Sequence, residues 1–183
     1  MQIRTEGSRQ NTTQKRRKIA WILIGMIFSM ILLSGCSGAN GDFLAWNREE
    51  LRFIGRYEEG GITYTCRFAL ASGRGKTEAT AEILSPAVCE GITYCYQEGT
   101  YSVSYGGRTL PLSEEPEALR RLFLCRPTSP YLETVSEENG MRRETVRAEE
   151  GVYTFCYGSD NRPSEILCNE SNRYAALMVE TWE

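Results

Sequence analysis

The chain has 183 residues and a formal net charge of −3, which is enough length for one domain with a sizeable core. It contains no histidine, and this excludes Ser-His-Asp and Cys-His catalytic sites and removes the commonest zinc ligand. The acidic balance lacks the basic footprint of a nucleic-acid-binding protein.

A hydrophobic segment lies near the N-terminus. A basic cluster at 15–18 precedes residues 19–33, among which no residue is charged. This run is shorter than the roughly 20 apolar residues of a membrane-spanning helix. It suits the apolar core of a secretory signal, whose basic flank stays in the cytoplasm.

The apolar run ends in Leu33-Ser34-Gly35-Cys36, which resembles the lipobox of bacterial lipoproteins at all four positions. The resemblance implies cleavage before Cys36, a diacylglycerol on its thiol, and a place on the extracytoplasmic face of the cell membrane. We therefore expect a signal peptide at 1–35, the lipidated cysteine with a short tether at 36–41, and a single domain at 42–183. The alternative is an uncleaved signal anchor with an incidental cysteine.

The expected mature chain is more acidic than the whole. The leader holds six of the 21 basic residues and one of the 24 acidic ones, so 15 basic and 23 acidic residues remain, a formal charge of −8. Such a charge argues against a domain that lies flat on anionic lipid head groups.

Six further cysteines follow the predicted anchor. An even number outside the cytoplasm permits disulfides, but the wide spacing and β-rich surroundings of several favour buried thiols, so both states stay open. The absence of a C-x-x-C pair argues against a thioredoxin-like site and a zinc knuckle. These cysteines are Cys66, Cys89, Cys95, Cys125, Cys156 and Cys168.

Most of the remaining chain shows the period-two alternation of β-strands. Residues 62–70 place their apolar members at even positions, and runs at 76–83, 101–105 and 153–157 alternate in the same way. Glycine-rich and Asn-Gly turns separate these runs at hairpin distances. The pattern predicts nine or ten antiparallel strands with one apolar face.

One segment has helical spacing. Residues 113–125 carry Ser113 as the expected N-cap, acidic residues in the first turn and arginines later, as the helix dipole favours. Leu119, Leu122 and Phe123 share one face at i, i+3 and i+4. We expect this helix to follow the sixth strand and to cap the open face of the sheet, with residues 128–135 forming a second helical turn or a loop.

Two long stretches resemble the half-barrels of lipoprotein carriers. Residues 81–112 run through a strand, a proline–glycine turn and a hairpin ending in Tyr-Gly-Gly, and residues 151–183 run through strand, turn, strand, hairpin and a last strand. This order is similar to LolA, LolB and the mycobacterial LppX and LprG lipoproteins. The resemblance implies a mainly β (α+β) fold: a LolA-like half-barrel, with a curved antiparallel sheet, one capping helix here, and an apolar pocket.

The aromatic and helical side chains that could line this pocket are the candidate ligand-binding residues. The alternative is an ordinary core with tyrosines at its edge. The candidates are Tyr64, Phe68, Tyr94, Tyr96, Tyr101, Tyr105, Leu119, Leu122, Phe123, Tyr153 and Phe155.

Two arginine pairs could bind an anionic head group, at 120–121 and 142–143. The alternative is that these arginines are surface charges paired with neighbouring glutamates.

The sequence thus predicts a membrane-anchored extracytoplasmic lipoprotein that binds or carries an apolar or amphiphilic ligand. The alternative is an interaction or sensory module of the envelope, with a protein partner and no cavity. Because the chain has no histidine, no nucleophile elbow and no pair of catalytic carboxylates, we expect that it is not an enzyme. We also expect no cofactor, no metal and no nucleic-acid partner.

Overall fold

The computed structural model describes residues 43–71, 78–170 and 173–183. The predicted signal peptide, Cys36 and the tether lie outside the described residues. Residues from Phe43 onward belong to one compact unit.

The described residues of this unit form eleven strands and one α-helix. The strands are β1 Leu51–Glu59, β2 Ile62–Leu70, β3 Glu78–Ser85, β4 Thr93–Gln97, β5 Thr100–Tyr105, β6 Arg108–Leu112, β7 Tyr131–Glu138, β8 Met141–Arg147, β9 Val152–Tyr157, β10 Pro163–Glu170 and β11 Arg173–Trp182. The helix α1, Glu117–Phe123, follows β6, and two 3-10 turns lie at Ala45–Arg48 and Ala87–Cys89.

All strands join one antiparallel sheet in the order β6-β5-β4-β3-β2-β1-β11-β10-β9-β8-β7. Strands β6 and β7 are its edges and do not pair with each other, so the curved sheet stays unclosed. The prediction of a mainly β fold with a curved antiparallel sheet and one helix after the sixth strand is confirmed. The count of nine or ten strands was low.

Two local predictions were wrong. The helix begins at Glu117 rather than near Ser113, because the residue before a proline avoids helical angles and Pro116 itself is extended, with φ −72° and ψ 145°. Pro116 is therefore the N-cap residue, and the helix ends at Phe123 rather than at 125. Residues 128–135 are neither helix nor loop throughout, because β7 begins at Tyr131 and pairs with β8.

The core lies on one face of the sheet. Helix α1 covers the middle of this face with Leu119 and Leu122, which are fully buried. A second cover, which the sequence analysis missed, is the 3-10 turn Ala45–Arg48. Its Trp46 is buried against Phe155 and Trp182, with ring centroids 5.6 and 6.0 Å away.

The sequence left open whether the cysteines form disulfides or stay as thiols. In the described residues all six cysteines are free thiols. Cys66 and Cys125 are fully buried in the core. Burial raises the pKa of the Cys66 thiol to about 12, so this thiol stays protonated and behaves as a small apolar group.

Candidate ligand-binding site

The predicted ligand residues do not form one continuous surface. Six of them lie inside the packed core: Phe68, Leu119, Leu122, Phe123, Tyr153 and Phe155. Four are half-buried and pack against that core: Tyr64, Tyr94, Tyr96 and Tyr101. Tyr105 is 64% exposed.

One group of these residues lies under the C-terminal end of α1. The Tyr96 ring is 5.6 Å from Phe123 and 5.0 Å from Tyr101, measured between centroids. The Tyr101 hydroxyl donates to Glu115 Oε1 at 3.1 Å. Burial, with Glu115 adding to it, raises the pKa of Tyr101 to about 12. The helix and the segment before it therefore cover this part of the face.

A second group fills the other half of the sheet. The rings of Tyr153 and Phe155 are 6.1 Å apart and nearly parallel. Nearby, Trp46 Nε1 donates to the Tyr157 hydroxyl at 3.2 Å, and that hydroxyl donates to Glu144 Oε2 at 2.6 Å. Glu144 is 1% exposed and also pairs with Arg142. This half is a packed core with a buried polar network, not an open pocket.

The third group is different because its apolar surface is uncovered. Paired residues of an antiparallel sheet share a face, and one row of pairs runs from the core to the β6 edge. The row is Phe53, Phe68, Ala81, Tyr94, Val103 and Leu110. Phe68 is fully buried, Tyr94 and Val103 are half-buried, and Leu110 is 64% exposed.

We call Tyr94, Val103, Tyr105 and Leu110 the uncovered strip. Tyr105 belongs to it because side chains two positions apart on β5 point to the same face. The strip is open because α1 is short: seven residues make a helix about 10 Å long. The helix packs mainly against β2, β3, β4 and β11, whereas Tyr105 and Leu110 on β5 and β6 stay largely exposed.

A groove lies at the sheet end that holds the β1–β2 turn. It is an open groove of about 360 Å³ between this turn, α1 and the β10–β11 hairpin. Six of its lining side chains are charged, and we call it the charged groove: Glu58, Glu59, Glu117, Glu170, Arg120 and Arg121.

The two arginines of the charged groove are already paired with acids. Arg121 Nη2 is 2.6 Å from Glu117 Oε1, and Arg120 lies 3.3 Å from Glu117 and 3.7 Å from Glu170. The Arg121 guanidinium also lies over the Tyr57 ring, 5.7 Å from its centroid. Both arginines therefore form ion pairs with glutamates, as the surface-charge interpretation requires. They line a groove, however, rather than an open surface.

The second arginine pair, at 142–143, lies elsewhere. Arg142 pairs with the buried Glu144, and Arg143 Nη1 is 2.9 Å from Glu138. Both arginines are therefore ion-paired on the β7–β8 side of the sheet.

Two stacked tyrosines lie beside the charged groove, because Arg121 lies over the Tyr57 ring. The Tyr57 ring stacks on Tyr64 with centroids 5.3 Å apart. Burial raises the pKa of Tyr94, which belongs to the uncovered strip. Sequence analysis had not selected Tyr57, although its odd position in the run Leu51–Tyr57 places it on the same face as Leu51 and Phe53.

No protein-family model matches the sequence. No curated protein matches it. Several solved structures are similar. One, named an outer membrane lipoprotein-sorting protein domain, from Vibrio parahaemolyticus, is 9% identical with a TM-score of 0.47 and covers 78% of this chain and 89% of its own.

Two other similar structures carry related names. A LolA superfamily protein from Nitrosomonas europaea is 9% identical with a TM-score of 0.43, covering 74% of this chain and 86% of its own. Lipoprotein LppX from Mycobacterium tuberculosis is 8% identical with a TM-score of 0.36, covering 76% and 89%. At these identities the likeness concerns the fold, and we take no ligand or residue role from it.

Within the described ranges, no helix is both long and apolar enough to cross a membrane. The same part of the chain holds no group of three or more cysteine or acidic side chains placed to bind a metal ion.

Proposed function

We propose that this chain is a lipid-anchored, extracytoplasmic binding protein or carrier, and that its ligand is an apolar or amphiphilic molecule lying along the uncovered strip. The observation that carries the proposal is the gradient of exposure along one row of core-facing side chains. The row begins at Phe53 and Phe68, which are fully buried, and ends at Leu110, which is largely exposed. A ligand on the strip would continue the core toward the β6 edge.

The energetics favour an apolar occupant. Each square ångström of apolar surface removed from water contributes roughly 25 cal/mol. Because the strip adjoins the core, an acyl chain placed there gains contacts on the sheet and on the half-buried tyrosines together. Exposed apolar surface that is continuous with a core is typical of binding sites.

Pairing of the β6 edge with another strand is the alternative use of this region. Pro111 lies within β6 and has no backbone N–H to donate, which is a common protection of edge strands. Its presence favours a ligand on the face over a partner strand at the edge. If no ligand binds, the alternative function is that of an interaction module whose partner is another protein.

We propose no catalytic activity. The most buried carboxylate, Glu144, is held by Tyr157 and Arg142, and burial raises the pKa of the described thiols for which a shift is resolved. Those thiols lack the lowered pKa of an activated nucleophile, and Glu144, at 1% exposure, is not accessible to a substrate.

The anchor is proposed from the Leu33–Cys36 motif alone. We expect a clickable fatty acid fed to the cells to label the wild-type chain and not Cys36→Ala, which should retain its leader. Equal labelling of both would contradict the anchor. It would leave the ligand proposal unaffected.

A matched pair of substitutions on β6 tests the ligand site. Leu110→Glu places a charge on the uncovered strip, whereas Thr109→Glu places the same charge one residue away, on the opposite face. We expect Leu110→Glu to weaken binding of an environment-sensitive apolar dye by about tenfold, because burying a carboxylate against an acyl chain is costly. Thr109→Glu should bind like the wild type.

Both positions are exposed, so neither substitution should unfold the domain, and circular dichroism checks this. Equal dye affinity in the two variants would place the ligand elsewhere.

A further inference from the structure

The three strands that carry the uncovered strip hold a single charge. In β4, β5 and β6 the only charged residue is Arg108, although 25% of the whole chain is charged. Arg108 is the first residue of β6, and its side chain is exposed. All other positions of these strands are apolar, aromatic or neutral polar. Arg108 is therefore the one formal charge that these strands present to a ligand.

The β5–β6 turn places Arg108 on the face of the uncovered strip. The glycines at 106–107 have φ of 57° and 77°, as a two-residue type I′ turn requires. This turn pairs Tyr105 directly with Arg108, and the next pair on the same face joins Val103 to Leu110. Side chains two positions apart on a strand share a face, so Arg108 lies about 7 Å along β6 from Leu110. The charge is thus at the end of the strip.

Arg108 has no protein partner within the described residues, where it forms no ion pair and no hydrogen bond. Each other arginine whose side chain the structure describes has a partner, which is an ion pair in most cases. An exposed guanidinium with no acid beside it keeps its donors free. These donors form a planar fork that matches the oxygens of a carboxylate or a phosphate.

A charge on an edge strand can also serve only to keep other strands away from the edge. Such a charge acts equally well on either face of β6, because the edge borders both. A charge that binds the head group of a ligand must lie on the face of the strip. The two roles are therefore separated by moving the guanidinium from one face to the other.

We infer that the ligand of the uncovered strip is an anionic amphiphile. Its carboxylate or phosphate oxygens accept hydrogen bonds from Arg108, and its apolar part follows Leu110, Val103 and Tyr94. The strip crosses three strands, about 10 Å at the usual spacing of neighbouring strands, so an extended apolar segment lies next to the charge. This inference rests on the proposed function, because it assigns the polar end of the same ligand.

The test uses the full chain, reconstituted into phosphatidylcholine vesicles. Three probes are compared that share one alkyl chain with a photoactivatable diazirine and differ in the head group: a carboxylic acid, an alkyl phosphate and a neutral alcohol. Labelled peptides from β4 to β6 are quantified by mass spectrometry at a pH that ionises both acids. Peptides from the β7–β8 hairpin, at the other edge of the sheet, report nonspecific contact with the bilayer, and each yield is divided by theirs.

We expect the anionic probes to label β4–β6 about threefold more than the alcohol, the scale of one solvent-exposed ion pair. A preference for only one of the two anions also supports the inference and identifies the head group. Arg108→Gln should lose the preference and keep the labelling by the alcohol.

The matched control is the exchange Arg108→Thr/Thr109→Arg. It keeps the composition and the net charge but moves the guanidinium to the opposite face of β6. We expect the exchange to lose the preference as Arg108→Gln does. Both positions are exposed, so the domain should stay folded, and circular dichroism checks this.

Equal labelling by all three probes, or a preference that survives in Arg108→Gln or in the exchange, would overturn the anionic head group while the proposed function stands. If no probe labels β4–β6 above the β7–β8 hairpin, the proposed function fails and the inference fails with it.

Discussion

Replacing Leu122 with alanine is expected to lower the free energy of unfolding by about 2–5 kcal/mol, the usual cost of emptying a packed leucine site. Leu122 is fully buried on α1, beside Leu119 and Phe123. The helix has only seven residues, so packing rather than intrinsic helicity must hold it on the sheet. Urea unfolding followed by tryptophan fluorescence measures the change.

Arg120→Ala is the matched control on the same helix. Arg120 is more exposed and makes ion pairs at 3.3 and 3.7 Å. Its loss should cost less than about 1 kcal/mol, as for other exposed pairs. A Leu122→Ala midpoint no lower than that of Arg120→Ala would show that α1 does not dock as described.

Replacing Arg126 with methionine is expected to cost about 3 kcal/mol, because three charge-assisted hydrogen bonds are lost and each is stronger than a neutral one. The guanidinium donates to Asn47 O at 3.0 Å, to Glu49 O at 2.7 Å and to Ala71 O. One side chain thus joins the N-terminal cover to the end of β2. Arg126 is only 9% exposed, so these carbonyls rather than water surround its charge, and burial lowers its pKa.

The control for Arg126 is Arg52→Met. Arg52 lies 2.7 Å from Glu50 in an exposed ion pair, so the same substitution there should be nearly neutral. Arg126→Lys keeps the charge but cannot form the same fork of donors, and we expect an intermediate loss. Equal stability of Arg126→Met and Arg52→Met would contradict the joining role. Thermal unfolding of the three variants side by side decides it.

The alternation of apolar and polar residues was sufficient to predict which face of several strands is buried. The even residues Cys66, Phe68 and Leu70 of β2 are buried, and so are Ala79, Ala81 and Ile83 of β3, as their alternation predicts. This works because burial on one face acts on each strand separately. Helix α1 was found for the same reason, since its apolar spacing is local.

The local errors came from effects that compete with simple patterns. Pro116 was read as part of the helix, although it is the extended N-cap residue that precedes it. Strand β7 was missed because its exposed edge lacks the alternation of a half-buried strand. Trp46 was missed because a single tryptophan in a short turn has no period. Its place depends on Phe155 and Trp182, which are more than 100 residues away.

The candidate site could be predicted only in part. Tyr64, Tyr94 and Tyr105 were selected from the sequence, but Val103 and Leu110 were not. The uncovered strip depends on the register of the β4–β5 and β5–β6 hairpins and on how far α1 extends, and neither is visible in one strand alone. The same limitation put Phe68 and Phe155 in the ligand set, although the covers bury both completely.

The most direct test of the central claim is native mass spectrometry of the domain expressed without its leader, followed by organic extraction. We expect an apolar or amphiphilic molecule to co-purify in a defined ratio, and the Leu110→Glu domain to carry less of it than the Thr109→Glu domain. A clean wild-type domain that also shows no saturable binding of an apolar dye would contradict the account. In that case the sheet would serve an interaction module without a ligand.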